Sequence, residues 1–520
     1  MRLVSPGPLA VLRACGTICM AADASGPPAR SSVGPALLTA ALSTFAPHQS
    51  IAGQCAAFLD GSPDAFHATA SACARLDAAG FTCLDERDVW SKGKIKPGGK
   101  YYYTRNRSCL VAFAVGGKYE PGNGFKVIGG HQDSPNLRIK PKSKRGGSGC
   151  LQLDAECYGG GLWHTWFDRD LSLSGRVMVR TEGGGVAQRL VKIDRAVCRV
   201  PTLCIHLQSA EEREAFKINK EDHLQPILAL EAKKALSGLA ADGADDEEGE
   251  AAWADGQEPI LLGLLAEELG VAVDDILDFE CSLHDTQTAA ITGAANEFLC
   301  SARIDDLASC FVIAESLIEH AADEERLAAD GDISLMALFD NEEVGSDSAA
   351  GAGSPLMSEA VRRITTALTG GSGDDEVTGA ALRRSFVLSV DMAHAVHPNY
   401  KAKHEATHSP HMNAGIVIKT NANQRYASNG VTSFIVRELA RRASLAPPQE
   451  FVVRNDCPCG STIGPIISAN TGIRAVDIGM PQLSMHSIRE MMGVADLTYA
   501  RDLFNAFYAD FRNVDDMIDG

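Results

Sequence analysis

Two kinds of hydrophobic spacing follow one another along the chain. Residues 39–79 are alanine-rich and carry apolar positions at helical spacing, whereas short apolar runs bounded by glycine follow Phe81. Two of these runs, 111–115 and 125–128, have the composition and length of buried strands. The combination predicts an α/β fold.

The spacing changes between residues 136 and 283. Alternating strands such as 176–180 dominate there, and the clearest helical pattern is at 226–236. We therefore predict a strand-rich domain at 136–283. It would be inserted into a mixed-sheet catalytic domain formed by 39–135 and 284–520.

Two segments lack a pattern that could bury apolar surface. Residues 1–38 set a few arginines among Ala, Ser, Gly and Pro, which predicts a disordered extension, with a transit-like leader as the alternative. Residues 239–259 include the run Asp245-Asp246-Glu247-Glu248 and predict an acidic flexible loop.

The α/β pattern resumes after Asp285. A helix is predicted at 306–320, and strands are predicted at 334–339 and 385–390. Each of these two strands is followed directly by an aspartate, Asp340 or Asp391. Since α/β proteins place their chemistry at the carboxyl edge of the sheet, both aspartates are candidates for a functional site.

Composition and charge narrow the function classes. A formal net charge of -19 would repel nucleic acid and anionic membranes, so neither is expected as a partner. No apolar run is long enough to span a bilayer, which predicts a soluble protein. The 15 cysteines are odd in number and irregularly spaced, which favours a reducing, cytoplasmic location over a disulfide framework.

Five places carry side chains that can bind divalent cations or transfer protons. A pair of metal ions needs imidazole and carboxylate ligands, with one carboxylate shared by both ions. Each place alone is a weak signal, but several follow predicted strands, where a buried carboxylate needs a cation or hydrogen bonds. The five are His131 with Asp133, Asp305 with Asp306, Glu342 with Glu343, Asp391 with His394 and His397, and His486.

Adjacent carboxylates can divide the work of such a site. The side chains of Glu342 and Glu343 point in different directions, so one can hold metal while the other faces substrate. A carboxylate that holds no metal can accept a proton from the attacking water and return it to the leaving amine. Asp133 can in turn accept a hydrogen bond from the second ring nitrogen of His131 and fix its orientation.

Other catalytic schemes find less support. The chain has no G-x-S-x-G elbow, no P-loop and no G-x-G-x-x-G after a strand. Cys457 and Cys459 lack partner cysteines at zinc spacing, and Gly159-Gly160-Gly161 is expected to form a turn.

Over about residues 40–515 the chain resembles the aspartyl aminopeptidases, the M18 group of dinuclear metallopeptidases. The resemblance rests on five motifs: His131-Gln132-Asp133-Ser134-Pro135, the segment from Tyr158-Gly159-Gly160-Gly161 to Asp170, Asp340 to Ser346, Asp391 to Tyr400, and Met485-His486-Ser487-Ile488-Arg489-Glu490.

The resemblance implies a site with two divalent metal ions. Zinc is the expected metal, with manganese or cobalt as alternatives, since His and carboxylate sites accept all three. Glu342 would be the general base. The implied metal ligands are Asp305 as the shared carboxylate, His131 and Asp391 for one ion, and Glu343 and His486 for the other.

The resemblance also implies the substrate, the assembly and a role for the inserted domain at 136–283 as a lid or in dimerisation and oligomerisation. The substrate would be a peptide with an unblocked N-terminal Asp or Glu, bound by residues His394, Lys419 and Tyr426. His206 would reach the site from a neighbouring subunit of a homo-oligomer, expected to be a tetrahedral dodecamer.

One residue departs from the family pattern. Asp306 stands where asparagine is expected, and its charge would either tighten metal binding or pair with Arg303. Two other functions stay open: a dinuclear aminopeptidase or deacylase of other specificity, and a cargo or assembly particle with a secondary enzymatic role.

Overall fold

A computed structural model describes residues 30–91, 93–231 and 253–518. The strands, numbered along the chain, are β1 Thr82–Cys83, β2 Lys100–Arg105, β3 Cys109–Val115, β4 Phe125–His131, β5 Asn136–Gly147, β6 Cys150–Tyr158, β7 Leu171–Arg180, β8 Val186–Lys192, β9 Ile227–Leu230, β10 Ile276–Asp285, β11 Ala290–Thr292, β12 Phe298–Ser301, β13 Ile333–Phe339, β14 Phe386–Val390, β15 Ala393–His394, β16 Val417–Lys419, β17 Gln449–Phe451, β18 Arg474–Gly479, β19 Pro481–Leu483 and β20 Glu490–Gly493. The helices are α1 Arg30–Phe45, α2 Gln49–Gly61, α3 Ala65–Ala78, α4 Ala210–Glu214, α5 Pro259–Leu269, α6 Ile304–Ala322, α7 Glu324–Ala329, α8 Leu356–Leu368, α9 Asp375–Arg384, α10 Gly430–Arg442, α11 Ile463–Thr471 and α12 Val494–Asp515.

A nine-stranded mixed sheet organises most of the chain. Its strand order is β1-β2-β3-β13-β4-β14-β18-β16-β17. Strand β4 lies between β13 and β14 and is parallel to both, so the carboxyl ends of all three strands reach the same edge. This edge is where the predicted strand ends meet, and the predicted mixed α/β class is confirmed.

Both faces of this sheet are buried because its inner strands are apolar throughout. In β3, Leu110 and Ala112 pack into the core on one face, whereas Val111 and Phe113 pack into the core on the other. Alternating side chains point to opposite faces, so a continuous apolar run is what a two-sided core requires. Helices α6 and α12 pack against each other on the first face.

A second sheet has six strands in the order β8-β7-β10-β5-β6-β9, all between Asn136 and Asp285. It has its own apolar core, to which α5 contributes Leu261 and Leu265. The helix predicted at 226–236 is wrong at its start, because Ile227–Leu230 forms β9 and pairs antiparallel with β6. Residues 232–236 lie outside the described part of the chain.

The two segments without a hydrophobic pattern are only partly described. Residues 1–29 of the predicted extension lie outside the described residues, whereas residues 30–38 belong to α1, so helix replaces the predicted disorder there. The larger part of the acidic loop predicted at 239–259 lies outside the described residues, because residues 232–252 are not described. The end of that loop meets α5, which begins at Pro259.

The third sheet has five short strands in the order β11-β12-β20-β19-β15. It carries His394 in β15 and holds His486 in the connection between β19 and β20. In the ranges that the structure describes, no helix combines the length and the apolar character needed to cross a membrane.

Candidate metal and catalytic site

Two groups of potential metal ligands meet at the carboxyl edge of the nine-stranded sheet. The first group is His131, Asp305 and Asp391, and the second is Asp305, Glu343 and His486. Within each group the ligand atoms lie within 4.8 Å of one another. Asp305 belongs to both groups, as a carboxylate shared by two ions would.

The elements of the fold explain how these five side chains converge. His131 ends β4, and Asp391 directly follows its parallel neighbour β14. Asp305 lies at the start of α6, just before regular helical geometry begins. Oδ1 of Asp305 lies 3.6 Å from Nε2 of His131, and Oδ2 of Asp305 lies 3.4 Å from Nε2 of His486. Glu343 Oε2 lies 3.3 Å from the same His486 nitrogen.

The environment of these ligands fits a divalent cation. Oδ1 of Asp305 and Oε1 of Glu343 are buried and accept no hydrogen bond from the described residues. Burial and the neighbouring charge of Asp305 hold the pKa of Glu343 well above its usual range. Buried carboxylates with unused oxygens are costly by themselves, and a cation between them would offset that cost.

The pKa values of the histidines in the two groups are raised as well, which for an imidazole favours the charged form. Burial by itself lowers the pKa of His486, but Asp305 and Glu343 outweigh it and raise the pKa to about 10. For His131, contacts with Asp133 and Asp305 likewise outweigh burial and raise the pKa. Both shifts reflect the density of carboxylates around these two rings.

The motif from Asp340 to Ser346 forms a tight turn after β13. Glu342–Val344 form one turn of 3-10 helix, flanked by Asn341 at φ 62° and Gly345 at φ 100°. Glycine adopts such a backbone readily, and asparagine tolerates it better than most residues. The turn sends Glu343 into the second ligand group and leaves Glu342 outside both groups.

The Asp133 carboxylate fixes this turn by accepting hydrogen bonds from the main chain of the turn. Its Oδ1 accepts the N–H of Glu342 and its Oδ2 accepts the N–H of Glu343, both at 3.1 Å. Oδ2 also accepts the hydroxyl of Tyr158 at 2.6 Å. Burial alone raises the pKa of Asp133, but His131 and these donors outweigh it and lower the pKa.

The expected contact between Asp133 and His131 is corrected by the structure. Nδ1 of His131 lies 3.0 Å from the main-chain carbonyl oxygen of Asp133, whereas the Asp133 carboxylate lies 3.6 Å away. The carbonyl therefore takes the hydrogen bond, because the carboxylate is already committed to the turn. The orientation of His131 is still fixed from this segment.

Lys419 contacts the Asp391 carboxylate of the first ligand group. The residue is 2% exposed, and its Nζ lies 3.5 Å from Oδ2 of Asp391 and donates to the carbonyl of Met392 at 3.2 Å. Burial raises the pKa of Asp391, and the Lys419 charge opposes that rise.

The main chain needs glycine at Gly479 of β18, where a Cβ would overlap the carbonyl oxygen of Asp391.

The residues predicted to contact substrate are only partly brought together. Tyr426 is buried with its ring 5.1 Å from Nζ of Lys419, and the ring of His394 packs edge-on against Phe451. Burial and the Lys419 charge lower the pKa of His394 to about 4. His206 is exposed, and its side chain makes no hydrogen bond or ion pair with the described residues of this chain.

Asp306 has a different partner from the one expected. It is fully buried, and its Oδ2 accepts the N–H of His131 at 3.3 Å. Arg303 instead donates to the carbonyl oxygens of Leu59 and Ser62, so the second of the two alternatives for Asp306, an ion pair with Arg303, is not the one that forms.

Sequence reasoning assigned no role at the site to Tyr158, Gly159 or Gly160, although all three lie against it. The sequence predicts only a turn for the three glycines that follow Tyr158. In the structure Gly159 lies so close to Glu343 that a Cβ at position 159 would be 3.2 Å from the Glu343 Cβ. The carbonyl of Gly160 lies 3.1 Å from Nδ1 of His486. The three consecutive glycines were the available signal, because they permit close approach of a backbone to another group.

Comparison with known proteins gives consistent matches. A family model described as aminopeptidase I zinc metalloprotease (M18) matches residues 58–508. The aspartyl aminopeptidase of Aspergillus oryzae is 47% identical over 476 residues, which cover 88% of this chain and 95% of that protein.

Two solved structures extend the comparison. The cryo-EM structure of the Ape4 and Nbr1 complex matches with a TM-score of 0.86 at 40% identity, covering 92% of this chain and 89% of that one. The structure of the mApe1 dodecamer of Saccharomyces cerevisiae matches with a TM-score of 0.77 at 30% identity, covering 90% and 98%.

The fold and the paired ligand groups define this protein as a metal-dependent exopeptidase of the aminopeptidase type. Its length, motifs and structure are those of one family of such enzymes. The chain belongs to the M18 family of zinc aminopeptidases.

Proposed function

We propose that this enzyme removes an unblocked N-terminal Asp or Glu from peptides, using two divalent cations and Glu342 as general base. The observation that carries the proposal is Asp305, shared by both ligand groups, with Glu342 beside them but in neither. The name of the Aspergillus oryzae relative, aspartyl aminopeptidase, supports the acidic specificity.

The proposed ligands divide between two positions. His131 and Asp391 would hold one cation, Glu343 and His486 the other, and Asp305 both. Cations held there supply Lewis-acid polarisation of the scissile carbonyl and acidify the attacking water. The family description as a zinc metalloprotease favours zinc, although manganese and cobalt suit the same donors.

Glu342 has the position and environment of a proton carrier. Its Oε2 lies 4.0 Å from Nε2 of His131, and its side chain is 14% exposed, so the carboxylate is close to the ligands yet reachable by substrate. Burial and the nearby charges of Asp391, Asp133 and Asp305 raise its pKa to about 8. A cation would reduce that repulsion and bring the pKa down towards neutral pH, where a general base works best.

An acidic substrate needs a local positive field, because the whole chain carries a formal net charge of -19. Lys419 is the buried ammonium next to the ligands, and the rings of His394 and Tyr426 both pack against Phe451. We propose that these three residues contact the N-terminal residue of the substrate.

His206 is proposed to complete the site of a neighbouring subunit. It lies in an exposed segment with three apolar neighbours, Leu203, Ile205 and Leu207, which are 49%, 60% and 72% exposed. Apolar exposure of this kind marks a surface for association. The dodecamer named for the Saccharomyces cerevisiae relative supports a homododecamer, for which we propose tetrahedral symmetry.

Two further assignments are proposed. The distribution of strands among three sheets supports a catalytic domain of residues 39–135 and 284–520 with an inserted domain at 136–283. The odd number and scattered spacing of the cysteines support a cytoplasmic location, which cell fractionation would test.

The central experiment combines one variant with a panel of substrates. Glu342→Gln should keep the metal content of the wild type and lose at least about 100-fold in kcat, the lower range for general acid–base catalysis. Wild-type enzyme should hydrolyse Asp and Glu anilides far faster than Leu and Ala anilides. Near-normal turnover by the metal-loaded Gln variant would refute the role of Glu342, and equal rates on all anilides would refute the specificity.

A further inference from the structure

Glu490 holds the main chain of two proposed metal ligands with one carboxylate. It is the first residue of β20 and is 3% exposed. Its Oε2 accepts the N–H of Asp305 at 2.9 Å, and its Oε1 accepts the N–H of His486 at 2.7 Å. Each oxygen therefore holds one ligand residue.

The two residues held in this way come from separate and irregular segments. Asp305 has non-helical backbone angles and lies two residues after Arg303, whose φ is 58°. His486 lies in the connection between β19 and β20 with a φ of 65°. Neither segment is fixed by the hydrogen bonds of a regular helix or strand, so their separation depends on other contacts.

Glu490 itself belongs to neither ligand group. Its two oxygens face main-chain N–H groups, and hydrogen bonds accepted by an ionised carboxylate are stronger than those between neutral groups. The carboxylate thus acts as a clamp between two ligand segments, and β20 anchors it through its pairing with β12 and β19.

We propose that Glu490 is a positioning residue that sets the separation of Asp305 and His486 and thereby the affinity of the metal position they share with Glu343. This inference rests on the proposed two-metal function. It predicts that the position formed by His131 and Asp391 depends on Glu490 less, because only Asp305 is common to both.

Glu490→Gln tests the clamp with little change in shape. The amide offers one acceptor, and its NH2 group would face a main-chain N–H, so one of the two contacts is lost. Glu490→Asp keeps the charge but shortens the reach, and it serves as the second variant.

A matched control exists elsewhere in the chain. Asp496 is also fully buried and also accepts two main-chain N–H groups, from Asn413 at 2.6 Å and from Gly415 at 2.9 Å. None of these three residues belongs to a ligand group. Asp496→Asn therefore disturbs the same kind of contact without touching a ligand.

The experiment is a zinc titration of the metal-free full-length protein, paired with melting curves with and without zinc. Wild type should bind two zinc ions per chain. Glu490→Gln should lose about 10- to 100-fold in affinity at one position, the usual effect of removing a group that orients a metal ligand. Its rise in Tm on adding zinc should shrink, because stabilisation by a ligand follows its affinity.

Asp496→Asn should lower Tm equally with and without zinc and leave both affinities unchanged. Unchanged zinc affinities in Glu490→Gln and Glu490→Asp, or equal losses in Asp496→Asn, would overturn the positioning role. If wild type bound fewer than two zinc ions, the proposed two-metal function would fail instead, so the two failures are distinguishable.

Discussion

The hydroxyl of Tyr158 donates a hydrogen bond to Oδ2 of Asp133 at 2.6 Å. Tyr158 ends a strand of the six-stranded sheet, whereas Asp133 follows a strand of the nine-stranded sheet. Through Asp133, this contact reaches the two N–H groups that fix the turn of Glu342 and Glu343. The six-stranded sheet therefore supports the candidate catalytic turn through Asp133.

Tyr158→Phe should weaken this support without removing a ligand. We expect kcat to fall about 10-fold, the lower range for groups that orient metal ligands, with wild-type zinc content. Tyr103→Phe is the control, since the Tyr103 ring is buried in β2 and its hydroxyl makes no hydrogen bond with the described residues. Equal kcat values for both variants would contradict the supporting role.

Asp305 and Asp391 should differ in how many metal ions they affect. Asp305→Asn should lower the affinity of both positions because Asp305 belongs to both ligand groups, whereas Asp391→Asn should lower mainly one. Zinc titration of the metal-free variants distinguishes two weakened sites from one. Indistinguishable titrations of the two variants would argue against Asp305 as the shared ligand.

Gly479→Ala should be strongly destabilising. A Cβ there would overlap the carbonyl oxygen of Asp391, and main-chain atoms cannot yield as a flexible side chain can. We expect a cost of at least about 1 to 3 kcal/mol, as for overpacking of a core. Gly263→Ala in α5 meets nothing within 4 Å and should be neutral or stabilising by up to about 1 kcal/mol, because alanine favours helix. Thermal melting of the two variants should therefore show opposite or clearly unequal shifts.

Asp330 should contribute to stability above about pH 4 and lose that contribution in acid. Burial alone raises its pKa, but His320 and the Lys126 ammonium at 2.5 Å outweigh it and lower the pKa to about 2. The usual unfolded value is about 3.9, so the folded state binds this proton less readily, and the stabilisation of roughly 2 to 3 kcal/mol disappears as pH falls towards 2.

Asp330→Asn should therefore melt at a lower temperature than wild type at pH 6, with a smaller gap near pH 3. Lys126 is 3% exposed and would be left without its carboxylate, which adds to the loss at pH 6. Asp516→Asn is the control, because the Asp516 side chain is 69% exposed and lies 4.0 Å from Arg512. A gap that stays constant with pH would contradict the assignment to Asp330.

The strands that carry the site could be predicted from the chain because their patterns are strong. The buried runs 334–339 and 385–390 correspond to β13 and β14 within one residue. In an α/β protein, a continuous apolar run followed by a charged residue is typical of a buried strand that ends at the edge of the sheet. The start of the helix predicted at 226–236 was wrong because residues 227–230 pair with β6, and this tertiary pairing overrides the helix preference of alanine and leucine.

The supporting contacts could not be predicted in this way. The sequence suggests that the Asp133 carboxylate orients His131, but that carboxylate binds the turn of Glu342 and Glu343 instead. Glu490 carried no role in the sequence beyond its place in a motif. Contacts to main-chain N–H groups leave no trace in the identity of the residue that donates.

The sequence by itself determined the kinds of ligand and the strand ends on which several of them stand. Side-chain chemistry and hydrophobic spacing are local properties, so both can be read directly from the order of residues along the chain. Only the tertiary structure decided that Asp305 lies within ligand distance of both His131 and His486, because those separations depend on strand register and on main-chain contacts between distant segments.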